Sequence, residues 1–147
     1  MPSFLSIFIN FDILILMSEM NTADVKIIIV DDSDFSRSVI NKMLSEEGFL
    51  VIGEAASAEA ALAMIRDKKP DIVIVDIVMP NVSGLELAEK LNQSSPEISV
   101  IMVSSLSQEH IVLDAISAGA SDFIAKPIPK QQLIDSVEKI IAKRTKD

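Results

Sequence analysis

The chain has no cysteine, no tryptophan and no tyrosine, and only one histidine, His110. Without cysteine there are no disulfides and no thiolate metal sites, and a reducing cytoplasm is permitted. One histidine leaves too little for a zinc centre or a histidine-based triad. Positive charge is also scarce. Lys and Arg number 13 against 22 Asp and Glu, for a net charge of -9. That balance argues against direct binding of nucleic-acid phosphate and suits a cation or a basic partner surface. A long apolar run is missing too. The stretch FLSIFINFDILILM, residues 4–17, is broken by Ser6, Asn10 and Asp12, and a spanning helix needs roughly 20 apolar residues. A secretory signal needs a basic start, yet the first basic residue is Lys26. No membrane span is therefore expected. Residues 1–22 read as an N-terminal apolar extension. The preferred explanation is an over-long start, with initiation at Met17 or Met20. A weak membrane-surface or partner-binding segment and an extra packing element are the alternatives.

What is present is regular from about residue 23 to residue 147, a length that suits one domain. Apolar runs rich in β-branched residues occupy 27–30, 50–52, 72–75, 98–103 and 123–125. They do not alternate with polar residues, which is the pattern of strands buried on both faces. Between them, apolar residues recur at helical spacing. The predicted faces are Phe35, Val39 and Met43; Ala58, Ala61, Leu62 and Ile65; Leu85, Leu87, Ala88 and Leu91; Ile111, Val112, Ala115 and Ile116; and Leu133, Ile134, Val137, Ile140 and Ile141. Asp34, Ser57, Ser83 and Ser107 stand where caps are expected, and Gly48 and Gly119 where helices should end. Five strands alternating with five helices predict a parallel sheet covered on both faces. Ligands of such sheets bind beyond the carboxyl ends of the strands.

The residues at those ends form a set. Asp31 and Asp32 follow the first run, Asp76 the third, Ser104 and Ser105 the fourth, and Lys126-Pro127 the fifth. Any one alone reads as a turn former or a helix cap; together they carry chemistry. Three carboxylates in one place need a counter-charge, and a hard divalent cation such as Mg²⁺ supplies it through oxygen ligands. One carboxylate can then attack phosphorus. Lys126 and Ser104 can stabilise the transferred oxygens.

These motifs resemble the receiver domain of two-component response regulators, over about residues 24–145. The match rests on the pair Asp31-Asp32, on DIVMPNVSG around Asp76, on Ser104, on Phe123 and on Lys126-Pro127. The resemblance implies a flavodoxin-like, doubly wound five-stranded sheet of order 2-1-3-4-5. It implies Asp76 as phosphoacceptor, Asp32 as a direct Mg²⁺ ligand, Asp31 as one through water, and the Val78 carbonyl as a further ligand. Ser104 and Lys126 would contact the phosphoryl group, and Phe123, Ser104 and Ser105 would form the switch. The Lys126–Pro127 bond would be cis. Many members carry Thr where this chain has Ser104, and Ser keeps the hydroxyl. VSSL, residues 103–106, points towards chemotaxis-type members.

The implied function is a phosphorelay switch in the cytoplasm that is not an enzyme acting on other substrates. It would be charged by a histidine kinase or phosphotransfer protein. No further domain is expected after residue 147, so output would be a protein contact on the fourth helix, fifth strand and fifth helix, with no direct nucleic-acid binding. A phosphate sink or relay intermediate is the alternative within this class. A Mg²⁺-dependent aspartyl phosphohydrolase would need a proton donor where Val78 stands. A nucleotide-binding module would need a glycine-rich loop after the first strand, where Asp31 and Asp32 stand instead.

Overall fold

The computed structural model describes residues 24–145; the N-terminal apolar stretch lies outside them. The elements run β1 (Lys26–Val30), α1 (Asp34–Glu46), β2 (Leu50–Ala55), α2 (Ala58–Lys68), β3 (Ile72–Asp76), α3 (Gly84–Ser94), β4 (Ser99–Ser104), α4 (Glu109–Ser117), β5 (Asp122–Ala125) and α5 (Lys130–Thr145). All neighbouring strands are parallel, in the order β2-β1-β3-β4-β5. The doubly wound architecture expected from the sequence is therefore present. Among the described residues no helix is long and apolar enough to cross a membrane.

Unbroken apolar runs form this sheet because both of its faces are covered. Ile28, Val30, Val73, Val75, Val100 and Met102 point to one side, where α2, α3 and Ala115 of α4 pack. Ile27, Ile29, Ile72, Ile74, Ile101, Val103 and Ile124 point to the other, against α1 and α5. Burying one such side chain is worth about 1.5–3 kcal/mol, so either layer outweighs any single polar feature of the fold.

Four local expectations need correction. The first helix turns Ile40 and Leu44 inward, while Phe35 is 79% exposed. The columns 35-39-43 and 40-44 lie side by side on α1, and the sheet covers the second. In α4 only Ala115 is fully buried, and Ile116 is 59% exposed, because this short helix touches the sheet along a single column. Ser33, not Asp34, caps α1; its side chain accepts from the Ser36 amide. The residue before α4 is Gln108 rather than Ser107, and it makes no side-chain capping bond. Ser57 and Ser83 cap α2 and α3 as expected. Gly48 and Gly119 take positive φ just after α1 and α4.

Candidate functional site

The carboxyl ends of β1 and β3 place Asp31, Asp32 and Asp76 together, each offering a carboxylate oxygen within 4.8 Å of the others. Asp31 is 1% exposed and Asp76 is 8% exposed, whereas Asp32 is open to solvent. The turn after β1 is pinned by the Asp31 amide donating to the Ala55 carbonyl at 3.0 Å and by the Ser33 amide donating to Asp31 Oδ1 at 2.9 Å. From the end of β5, Lys126 Nζ reaches Asp31 Oδ2 at 2.8 Å and Asp76 Oδ2 at 3.4 Å, and donates to Ser36 Oγ at 3.2 Å. The Lys126–Pro127 bond is cis, as the resemblance implies.

Register brings the rest of the set alongside. Asp76 pairs with Val103, so β4 runs one residue further and delivers Ser104 beside the acidic mouth. Ser104 is fully buried, and its Oγ accepts from the Leu106 amide at 3.0 Å. Ser105 is exposed. Phe123, opposite Met102 on β5, is half-buried against the layer of α2, α3 and α4. Val78 follows β3 with its side chain exposed, and its amide donates to Asp76 Oδ1 at 3.4 Å. Asp34, the third acid of the first segment, is exposed and pairs with Arg37.

Burial lifts the Asp76 carboxyl above the usual carboxylate range. The Lys126 ammonium pulls it down and the Asp31 charge pushes it up, and the net direction is upward. Lys126 loses solvation on burial, but its bond to Asp31 and the Asp76 charge outweigh that and raise its pKa. The ammonium therefore stays protonated. An acid with a raised folded pKa is most compatible with the fold when protonated. The penalty is absent at low pH and grows as pH rises through the folded pKa. Asp76→Asn should therefore stabilise the metal-free protein at pH 7 by on the order of 1 kcal/mol, with the gain shrinking towards pH 4. Thermal melts followed by far-ultraviolet circular dichroism across that range would show it; an unchanged or lower melting temperature at pH 7 would contradict it.

Gly84 is fixed by close approach. A Cβ there would stand 2.2 Å from the carbonyl oxygen of Asp76 and 2.8 Å from the Ile77 Cα. Both are backbone atoms, so α3 or the end of β3 would have to move. Gly84→Ala should cost about 2–3 kcal/mol, read as a lowered urea midpoint.

Ser36, Arg37 and Glu54 were not among the residues expected from the sequence, yet Ser36 contacts Lys126, Arg37 the Asp31 carbonyl, and Glu54 Arg37. The signal for the first two was their place in the opening turn of a helix that folds back over the loop before it.

The oxygen-only donor set and its excess negative charge fit a hard divalent cation, and no soft ligand is within the cluster. A partly exposed carboxylate beside two buried ones gives such an ion a route in from solvent.

This sheet order, with an acidic triad and a lysine at the strand ends, is the architecture of a receiver domain. Residues 27–138 match the response regulator receiver domain, and the chain belongs to that family. It is similar to the chemotaxis protein CheY of Listeria monocytogenes, 39% identical over 114 residues that span 78% of this chain and 96% of the relative. CheY of Bacillus subtilis is 35% identical over 116 residues, 79% of this chain and 97% of the relative. Among solved structures, the CheX-CheY-BeF3-Mg complex from Borrelia burgdorferi matches with a TM-score of 0.76 at 31% identity, over 79% of this chain and 88% of that one. A CheY-like receiver from Methanospirillum hungatei matches with a TM-score of 0.77 at 29% identity, over 83% of this chain and 97% of that one. The chain is a chemotaxis-type receiver of phosphorelay signalling, a class of signalling switches.

Proposed function

We propose that Asp76 is the phosphoacceptor and that Mg²⁺ is the cofactor, held by Asp31, Asp32, Asp76 and the Val78 carbonyl. The observation that carries this reading is the convergence of three carboxylates and one ammonium at the strand ends. When bound, Mg²⁺ would supply positive charge to the phosphoryl oxygens and offset the repulsion among the carboxylates. A carboxylate oxygen of Asp76 attacks the phosphorus of a phosphohistidine on a histidine kinase or phosphotransfer protein. The P–N bond breaks, and its electron pair returns to the imidazole. Lys126, protonated and already 3.4 Å from Asp76, follows the new negative charge. The Ser104 hydroxyl, now an acceptor for the Leu106 amide, is free to donate to a phosphoryl oxygen.

The new charge then favours one of two pre-existing arrangements. Ser104, Ser105 and Phe123 form the moving part, and the output face is that of α4, β5 and α5. Leu106, Leu113 and Ile116 are exposed there, and α4 is the helix with the fewest buried residues, which supports a face that can rearrange and accept a protein partner. We place this switch in the cytoplasm, where it would turn over no substrate beyond its own phosphoryl group. Incubation with Mg²⁺ and a small phosphodonor such as acetyl phosphate should add one phosphoryl group in the intact mass, and chelation should prevent it. No gain at any Mg²⁺ concentration would overturn the reading.

A further inference from the structure

Arg37, in the opening turns of α1, reaches three segments at once. Its Nη1 donates to the backbone carbonyl of Asp31 at 2.5 Å, and its Nη2 pairs with Asp34. Its Nε lies 3.3 Å from Glu54 Oε1 at the far end of β2. Glu54 is held in turn, because its Oε2 accepts from Asn41 Nδ2 at 2.9 Å. The carbonyl that Arg37 grips belongs to the peptide between Asp31 and Asp32. Fixing that plane fixes the base from which both carboxylates extend.

Glu54 reaches Arg37 because β2 is out of register. Ile27 pairs with Val51, but Ile28 pairs with Gly53, leaving Ile52 as an extra residue. Ile52 packs on the α2 side, and a Cβ on Gly53 would stand 2.3 Å from Met64 Sδ on the same side. Two successive residues thus face α2, and the alternation resumes one step out of phase. Glu54 is thrown to the α1 side and Ala55 to the α2 side. A regular strand would have turned Glu54 away from Arg37.

We propose that Arg37 and Glu54, brought together by this bulge, form a positioning clamp that orients the Asp31–Asp32 turn for the divalent cation. The proposal rests on the cation reading above. The planar guanidinium holds acceptors in fixed directions, which a lysine cannot do.

Calorimetric Mg²⁺ titration of the wild type, Arg37→Lys, Glu54→Ala and the double variant tests the clamp. Each single change should weaken Mg²⁺ binding by about 10-fold, and the double change by no more than the larger single effect, since both remove one device. In metal-free protein the Ser33 amide, bonded to Asp31 Oδ1, should exchange faster in both single variants. Glu46→Gln, which breaks a different ion pair on the same helix, should leave Mg²⁺ affinity unchanged and so separates positioning from general loss of stability. Wild-type affinity in both single variants overturns the proposal, and so do additive losses in the double variant. A wild-type chain that binds no Mg²⁺ overturns the cation reading, and the proposal with it.

Discussion

Replacing Asp31 by Asn should weaken Mg²⁺ binding by at least about 100-fold and abolish measurable phosphorylation. Asp31 is the most deeply buried acid of the triad. Its Oδ1 is already committed to the Ser33 amide and its Oδ2 to Lys126. An amide in that place removes a charge and presents a donor where Lys126 needs an acceptor. The half-buried lysine is then left with Asp76 and the Ser36 hydroxyl alone. Asp34→Asn is the matched control. Asp34 is exposed and lies outside the triad, so its removal should change Mg²⁺ affinity by no more than about 3-fold, the scale of a surface ion pair. Calorimetric titration of the two variants side by side checks both statements. Equal losses would mean that the segment binds the cation through its total charge and not through the placement of its first two carboxylates.

Lys126→Met should lower the stability of the metal-free protein at pH 7 by about 2–4 kcal/mol. The ammonium is the one cation in contact with both buried carboxylates among the described residues. Without it, Asp31 and Asp76 face each other with no compensating charge, and a buried pair that loses one partner costs more than the pair contributed. The loss should shrink as pH falls, because protonating the carboxylates removes the repulsion. Saturating Mg²⁺ should recover part of it by binding only the folded state. The chain has neither tryptophan nor tyrosine, so urea unfolding is best followed by far-ultraviolet circular dichroism. A midpoint unchanged by the substitution would show that the carboxylates are compensated by solvent and that Lys126 serves the phosphoryl group alone.

Much of this site is legible along the chain because each of its groups immediately follows an apolar run. Runs such as IIIV before Asp31 and IVIV before Asp76 mark central strands, and parallel topology brings the ends of β1, β3, β4 and β5 to one edge. Asp31, Asp76, Ser104 and Lys126 could therefore be placed without knowing any side-chain contact. What was not legible depends on phase. The rotation of α1 decides whether Phe35 or Ile40 faces the sheet, and both columns are apolar enough to serve. The same holds for Ile116 in a helix whose contact with the sheet is only one column wide. Glu54 was hidden for a sharper reason. A one-residue bulge inverts which side of β2 it occupies, and its one signal in LVIGEA, the isolated Gly53, marks a bulge or a close backbone approach without telling which. Cap positions slipped by one at α1 and α4 because neighbouring polar residues, Ser33 with Asp34 and Ser107 with Gln108, compete for the same end.

Asp76 is expected to take the phosphoryl group, and Asp31 and Asp32 are not. An acyl phosphate is reduced by borohydride to an alcohol, which converts the modified aspartate to homoserine and marks it permanently. The protein should be treated with Mg²⁺ and acetyl phosphate, reduced, digested and sequenced by tandem mass spectrometry. The expected result is homoserine at position 76 alone, and none after omission of Mg²⁺. Homoserine at position 31 or 32, or its absence from position 76 when the intact mass shows a phosphoryl group, would contradict the assignment.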